Sequence, residues 1–256
     1  MYYYLYDSFL SDKKYAQTLA KIENRLIDLG INGKIEKMNV LKSIKEVIND
    51  SVKNGVDTII AVGSDRTFSR VFPAVANQTG VTFGYIPIEN STIAKILGIP
   101  VAEKACDVLS ARIIERIDIG KVNDQYFFSS LEVPEASNVS LECNGGHFNI
   151  SSTSKTDRIQ ICNLSYAPID TERRKNVCNP KDGFLEAVFT PKEKSAFGKD
   201  KLATKKQSVF PIRKIKIISE EIVSLIADGE TIVKTPATVE VLNKKLNIIV
   251  GKERKF

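Results

Sequence analysis

One stretch of this chain limits the folds open to it. It is the nearly unbroken apolar run Val56-Asp57-Thr58-Ile59-Ile60-Ala61-Val62, followed at once by Gly63-Ser64-Asp65-Arg66-Thr67. A run apolar at successive positions buries both faces, as a central strand of a parallel sheet does. Its neighbours fit that reading. Tyr2 to Tyr6 reads as an aromatic strand, with Ile31 to Met38 and Val81 to Pro87 as two more. Between them, apolar residues recur at steps of three and four. Tyr15, Leu19, Ile22, Leu26 and Leu29 follow the caps Ser11 and Asp12; Leu41, Ile44, Val47, Ile48 and Val52 form a second stripe; Phe68, Val71, Phe72 and Val75 form a third. Gly30 and Gly55 stand where helix-ending glycines belong. Alternation of this kind predicts right-handed crossovers and a mainly parallel sheet covered by helices on both faces.

After about residue 115 the helical period fades and strand signals crowd together. Ile117 to Val122, Gln125 to Val133, His147 to Ser152, Arg158 to Ser165, Phe184 to Thr190, Phe210 to Ser219, Ile222 to Ala227, Thr231 to Lys234, Ala237 to Leu242 and Lys245 to Val250 read as strands. Many short strands separated by turn residues predict an antiparallel sandwich. The expected architecture is therefore α/β followed by all-β, with an α/β domain over 1–115 and a β-sandwich over 116–256. The last residues are free to return to the first domain, and the cleft between two such domains is the default ligand site.

Composition removes several classes. The chain is 43% hydrophobic and 27% charged with a net charge of +6, ordinary for a globular protein. No apolar stretch is long enough to span a bilayer, and residues 1–7 do not read as a leader. A cytoplasmic protein is the expectation. Cys106, Cys143, Cys162 and Cys178 form no Cys-x-x-Cys pair, and His147 is the single histidine. Neither a zinc site nor a Ser/His hydrolase is indicated, and the cysteines read as reduced, buried thiols.

Three loops carry polar groups where chemistry could occur. Gly63-Ser64-Asp65-Arg66-Thr67 lies between a strand and a helix, where free amides favour anions. On this loop alone, a plain turn capped by Ser64 or Asp65 is the favoured explanation. Glu89-Asn90-Ser91-Thr92 occupies the equivalent place after the next strand, and Asn90 or Ser91 again suits a cap. Asp228-Gly229-Glu230 reads as a two-residue hairpin turn, or as the seat of a general base at Glu230.

What connects these loops is a family resemblance. The segment "GVDTIIAVGSDRTFSRVFPAV" (55–75) resembles the strand, Gly-Gly-Asp-Gly-Thr loop and helix of the diacylglycerol kinase catalytic domain family, which includes bacterial lipid kinases and sphingosine kinases and is distantly related to NAD kinases. "GYIPIENSTIAKILGIP" (84–100) resembles the family's second loop, "IDIGKVNDQYFFSS" (117–130) the start of its second domain, "NPKDGFLEAVF" (179–189) its Asp-Asp-Gly strand entry, and "IADGETI" (226–232) its Asp-Gly-Glu turn. The resemblance implies an NAD-kinase-like α/β domain with a β-sandwich, using ATP and Mg²⁺. Nucleotide binding then falls to Gly63, Ser64, Asp65, Arg66, Thr67, Asn90, Ser91 and Thr92. The magnesium-linked acidic site falls to Asp182. Glu230, with Asp228 in the same turn, falls on the catalytic side as the base for a lipid hydroxyl.

The departures have their own implication. Ser64 and Arg66 replace loop glycines, so a Cβ at 66 is expected to strain the backbone. The second loop lacks its glycines, carries Thr92 where the family has Asp, and runs one residue short. Tyr6-Asp7-Ser8-Phe9 replaces the Asn-Pro motif after the first strand. These losses favour the alternative of a catalytically degenerate member acting as a binding or regulatory module. Residues 192–216 hold nine basic side chains against two acidic ones. They read either as a contact for anionic membrane or as a solvated loop. The expected partner is a lipid or small-molecule substrate, not nucleic acid, and a homodimer stays open.

Overall fold

The computed structural model describes residues 1–39, 42–134, 139–143, 148–151, 158–164, 178–194, 200–203 and 206–256. The chain divides into two compact units, Met1–Ile117 with Lys245–Phe256, and Asp118–Lys244. Among the described residues no helix is long and apolar enough to cross a membrane.

The first unit is built as the alternation predicts. Strand β1 (Tyr2–Tyr6) is followed by two 3-10 turns, helix α1 (Ala16–Asp28), β2 (Lys34–Lys37), α2 (Ile44–Lys53), β3 (Thr58–Gly63), α3 (Asp65–Ala76), β4 (Thr82–Pro87), α4 (Thr92–Leu97) and α5 (Glu103–Ala111). The strands run parallel in the order β2-β1-β3-β4. The buried run is central: every residue of β3 is buried, and so is every residue of β4. Asp12 caps the second 3-10 turn rather than α1, which starts at Ala16. Phe68, on the apolar stripe of α3, packs on Phe83 and Tyr85 with ring centroids 4.9 and 5.2 Å apart. Such contacts join α3 to the sheet and fix where its first turn stands.

The second unit is antiparallel. The chain enters it within β5 (Ile114–Val122) and continues through β6 (Gln125–Phe127), β7 (Ser130–Val133), β8 (Val139–Cys143), β9 (Phe148–Ser151), β10 (Arg158–Cys162), β11 (Leu185–Thr190), β12 (Lys192–Lys194), β13 (Asp200–Leu202), β14 (Ser208–Ile212), β15 (Lys214–Ser219), β16 (Ser224–Ala227) and β17 (Thr231–Lys234). It leaves within β18 (Ala237–Ile249), whose last residues pair in parallel with β4. One sheet has the order β14-β11-β10-β7-β16-β17. In the other, β15 lies between β8 and the start of β18. Val122, Phe127, Leu131, Leu141, Ile161, Leu185, Ile217 and Val239 meet in one core between the two sheets.

Three strand expectations are redrawn. Gln125 to Val133 is two strands, interrupted at Phe128-Ser129 by a carboxylate described below. Phe210 to Ser219 is also two, because the chain changes sheets at Arg213, and alternation on either side of the switch reads as one run. Conversely, Ala237 to Leu242 and Lys245 to Val250 are one strand, β18, with Lys244 at φ +48° inside it.

That kink is held by Asp118, which is 1% exposed. Its Oδ1 accepts from Lys244 N at 2.7 Å and its Oδ2 from Gly183 N at 2.8 Å. Its own N–H donates to Pro180 O at 2.6 Å. One side chain thus ties β18 to the 180–183 turn. Asp118→Ala strands two donors and is expected to cost about 2–4 kcal/mol in denaturant unfolding, with Asp118→Asn costing less. A loss below about 0.5 kcal/mol would show that something else holds the turn.

Candidate functional site

In the first unit the two expected loops face each other through Asp65. Ser64 caps α3 in extended conformation, which places Asp65 in the first helical turn. The Asp65 carboxylate accepts the Ser91 hydroxyl proton, the Tyr85 hydroxyl at 3.3 Å and the Thr92 N–H at 2.8 Å. It therefore caps α4 from across the sheet edge. Ser91 also accepts from Ala94 N at 2.8 Å. Burial raises the Tyr85 phenol, and the nearby Asp65 charge adds to the shift.

Thr67 is fully buried and its hydroxyl is used twice. It donates to Asp7 Oδ2 at 2.7 Å and accepts from Ser64 N at 2.9 Å. Asp7, which stands where the family's Asn-Pro motif is missing, is 6% exposed, and Arg70 approaches its carboxylate at 3.8 Å. Gly63 is required by close approach, since a Cβ there would lie 2.2 Å from Thr67 Oγ1. The strain expected at Arg66 is absent. Position 66 lies in the first turn of α3, among helical residues rather than those with positive φ. Of the expected nucleotide residues, Arg66, Asn90 and Thr92 are exposed and Ser64 is half-buried. Asp65, Thr67 and Ser91 are bonded to other parts of the protein.

The other expected residues lie in the second unit. Asp228 and Gly229 both have positive φ, +49° and +71°, as the Asp-Gly hairpin signal predicts. The Asp228 carboxylate accepts from Phe128 N and Ser129 N at 2.7 Å each and from Ser130 N at 3.1 Å. Those amides are the break between β6 and β7. Burial pushes this carboxyl up to about 6, against the pull of its three donors. Glu230 closes the same hairpin through its N–H to Ala227 O at 3.0 Å and lies exposed.

Asp182 caps its own turn, accepting Phe184 N at 3.0 Å, and lies exposed. Burial of its carboxyl, and the charge of Asp118, raise it. Four residues on stands a group that sequence reasoning missed. Glu186 is 5% exposed on β11, with Oε2 unpartnered among the described residues. Burial pushes its carboxyl up to about 8, helped by the Asp182 charge, while hydrogen bonds from Cys178 oppose the shift. A lone carboxylate inside Leu185-Glu-Ala-Val-Phe189 was the available signal. Asn179 Oδ1 and Asn163 Oδ1 are also buried without a partner among the described residues. The described residues contain no group of three His, Cys, Asp or Glu able to hold a metal alone.

The raised Glu186 carboxyl has a consequence for stability. Its folded-state pKa exceeds its unfolded value, so the folded chain holds an extra proton between about pH 4.5 and 8. Stability is greatest below that window and falls as pH rises through it. Glu186→Gln is expected to flatten this slope in denaturant unfolding followed across pH, by at most about 5 kcal/mol. An unchanged slope would mean that Glu186 is ionised throughout.

Residues 3–122 match the family model of the diacylglycerol kinase catalytic domain. No curated protein matches the sequence. Among solved structures, the chain is similar to a diacylglycerol kinase from Bacillus anthracis str. Sterne, at 17% identity and TM-score 0.77, covering 99% of this chain and 98% of that one. It is similar to an NAD kinase from Archaeoglobus fulgidus in complex with ATP, at 15% identity and TM-score 0.64, covering 99% and 95%. Yeast NADH kinase complexed with NADH gives 9% identity and TM-score 0.58, covering 99% and 84%. Identities this low carry the fold alone, and that fold is NAD-kinase-like, as expected. The chain thus resembles the diacylglycerol kinase catalytic domain family over residues 3–122, just under half of its length, and has an NAD-kinase-like fold throughout.

Proposed function

We propose that this protein is an ATP-dependent kinase that transfers the γ-phosphate to a hydroxyl of a diacylglycerol-like lipid. The observation that carries the reading is the Asp-Gly-Glu hairpin. Asp228 spends its carboxylate on the 128–130 amides, and this rigid turn presents Glu230 to solvent. Glu230 accepts the proton of the lipid hydroxyl as its oxygen attacks the γ-phosphorus, and ADP leaves. A positioned carboxylate suits this step, since phosphoryl transfer depends mainly on positioning and charge neutralisation.

On the nucleotide side, the residues suited to phosphate are the half-buried Ser64 and the exposed Arg66 at the start of α3. Arg66 supplies a fork of donors where the family uses glycine amides. Asp65 acts by position, holding the Asn90-Ser91-Thr92 loop against α3. Asp182 and Asn179 offer hard oxygen donors, and one or two such ligands suit Mg²⁺, which keeps waters and substrate oxygens for its remaining positions. Bound there, Mg²⁺ would neutralise phosphate charge. The basic 192–216 stretch is proposed as a contact for anionic membrane, although 195–199 and 204–205 lie outside the described residues. Several of its described cations are engaged within the protein: Lys214 pairs with Glu240 at 3.5 Å, Arg213 lies over the Phe184 ring, and Lys192 and Lys206 have partners too.

A specific observation favours a second reading, a binding module without activity. Asp65 and Thr67, two residues the resemblance assigns to nucleotide, are saturated by protein partners. Two measurements separate the readings. Titration with ATP and Mg²⁺ is expected to show binding that Asp65→Ala weakens at least tenfold and Asp65→Asn weakens less. Incubation with radiolabelled ATP and a lipid extract is expected to yield a labelled lipid, reduced at least a hundredfold by Glu230→Gln with ATP affinity unchanged. Absence of ATP binding up to millimolar concentration selects the module. Labelling that survives Glu230→Gln removes the general base from the proposal.

A further inference from the structure

A cavity of about 690 Å³ opens in the first unit at the C-terminal end of α4. It exists because two glycines let main chains touch. Gly98 ends α4 at φ +68°, and a Cβ on Gly251 would lie 1.8 Å from the Gly98 carbonyl oxygen. Gly251 N donates to Leu97 O at 2.8 Å, and Lys255 N donates to Ile96 O at 2.9 Å. Arg254 reaches Glu115 at 2.7 Å. The 251–255 segment is thus held against α4 by main-chain bonds, and the Arg254–Glu115 pair ties it to β5. The hollow is formed before any ligand arrives.

Its lining has two chemistries. Ile99, Val108, Ile113 and Val250 supply apolar surface, while Lys95 and Lys252 bring two positive charges to its lining beside Lys255, which is engaged with a partner of its own. Of the two acidic lining residues, Asp107 is already paired with Arg25, which leaves Glu253. The cationic excess is therefore not cancelled within the wall. A neutral apolar molecule would use half of this site, and a small hydrophilic anion the other half. The volume is within the range of small-molecule pockets, and the mixed lining suits an apolar body with a charged end. We propose that this cavity binds a single-chain anionic amphiphile, an alkyl or acyl chain that carries a phosphate or carboxylate head.

The test titrates the full chain, without nucleotide, with decyl phosphate, decanoate, decanol and inorganic phosphate below micellar concentrations. Calorimetry gives the affinities. Decyl phosphate and decanoate are expected to bind, decanol at least tenfold more weakly, and inorganic phosphate not measurably. The double variant Lys95→Glu, Lys252→Glu is expected to weaken decyl phosphate at least tenfold while leaving decanol unchanged. Val108→Trp is expected to block both chains, with circular dichroism verifying the fold of each variant. Equal affinity for decyl phosphate and decanol overturns the proposal, as does charge reversal without effect. A dimer in sedimentation that Val108→Trp dissociates would assign the hollow to a second copy and overturn it too. Because no phosphoryl transfer is read, the result is independent of the kinase proposal.

Discussion

A carboxylate aimed at several N–H or O–H donors fixes as many points of the chain as it has partners, and burial makes each point costly to release. The loops of this protein depend on that arrangement. Asp65 holds the start of α4 and the Tyr85 hydroxyl, and Asp7 holds Thr67. In the second unit Asp118 holds the 183 and 244 amides, and Asp228 holds three consecutive amides where β6 gives way to β7. Without these acceptors the loop amides would lose the partners that fix them in place.

Loops held in this way divide their polar residues into two sets. Those facing inward are consumed by the fold, and those facing outward lie exposed to solvent. Asp228 and Glu230 show the division within one hairpin, since two residues along the turn the carboxylate passes from a saturated acceptor to an exposed one. Asp65 and Arg66 show it at the first turn of α3. A residue type at a motif position is therefore insufficient to assign a role. Which side of the loop it faces decides whether it serves the fold or meets solvent.

The strand-helix alternation of the first unit was legible because its period signals are long. The 56–62 run, the stripe at Phe68, Val71, Phe72 and Val75, and the Asp-Gly turn all rest on local rules. The break at Phe128-Ser129 was not legible, because the group that causes it lies a hundred residues further on at Asp228. The sheet change at Arg213 escaped for the same reason, since each half alternates correctly for its own sheet. Glu186 left a readable trace, a carboxylate in an apolar strand, but its weight depends on Asp182 and Cys178 arriving nearby. Local chemistry was written in the sequence; partners distant along the chain were not.

Arg66, standing where the family this chain resembles has its last loop glycine, shows how such a motif can diverge without losing its shape. A glycine is indispensable only where φ is positive or where a backbone neighbour leaves no room for Cβ. Position 66 meets neither condition, because helical dihedrals begin at Asp65 and any L-residue adopts them. Gly63 meets the second, with Thr67 Oγ1 lying where a Cβ would go, and Thr67 cannot withdraw while it bridges Ser64 N and Asp7. The loop therefore retains a glycine where its own packing demands one and exchanges glycine for a donor-rich side chain where packing is indifferent. Selection for shape alone would leave position 66 open to any residue, whereas an arginine there adds donors beside a helix N-terminus already suited to anions.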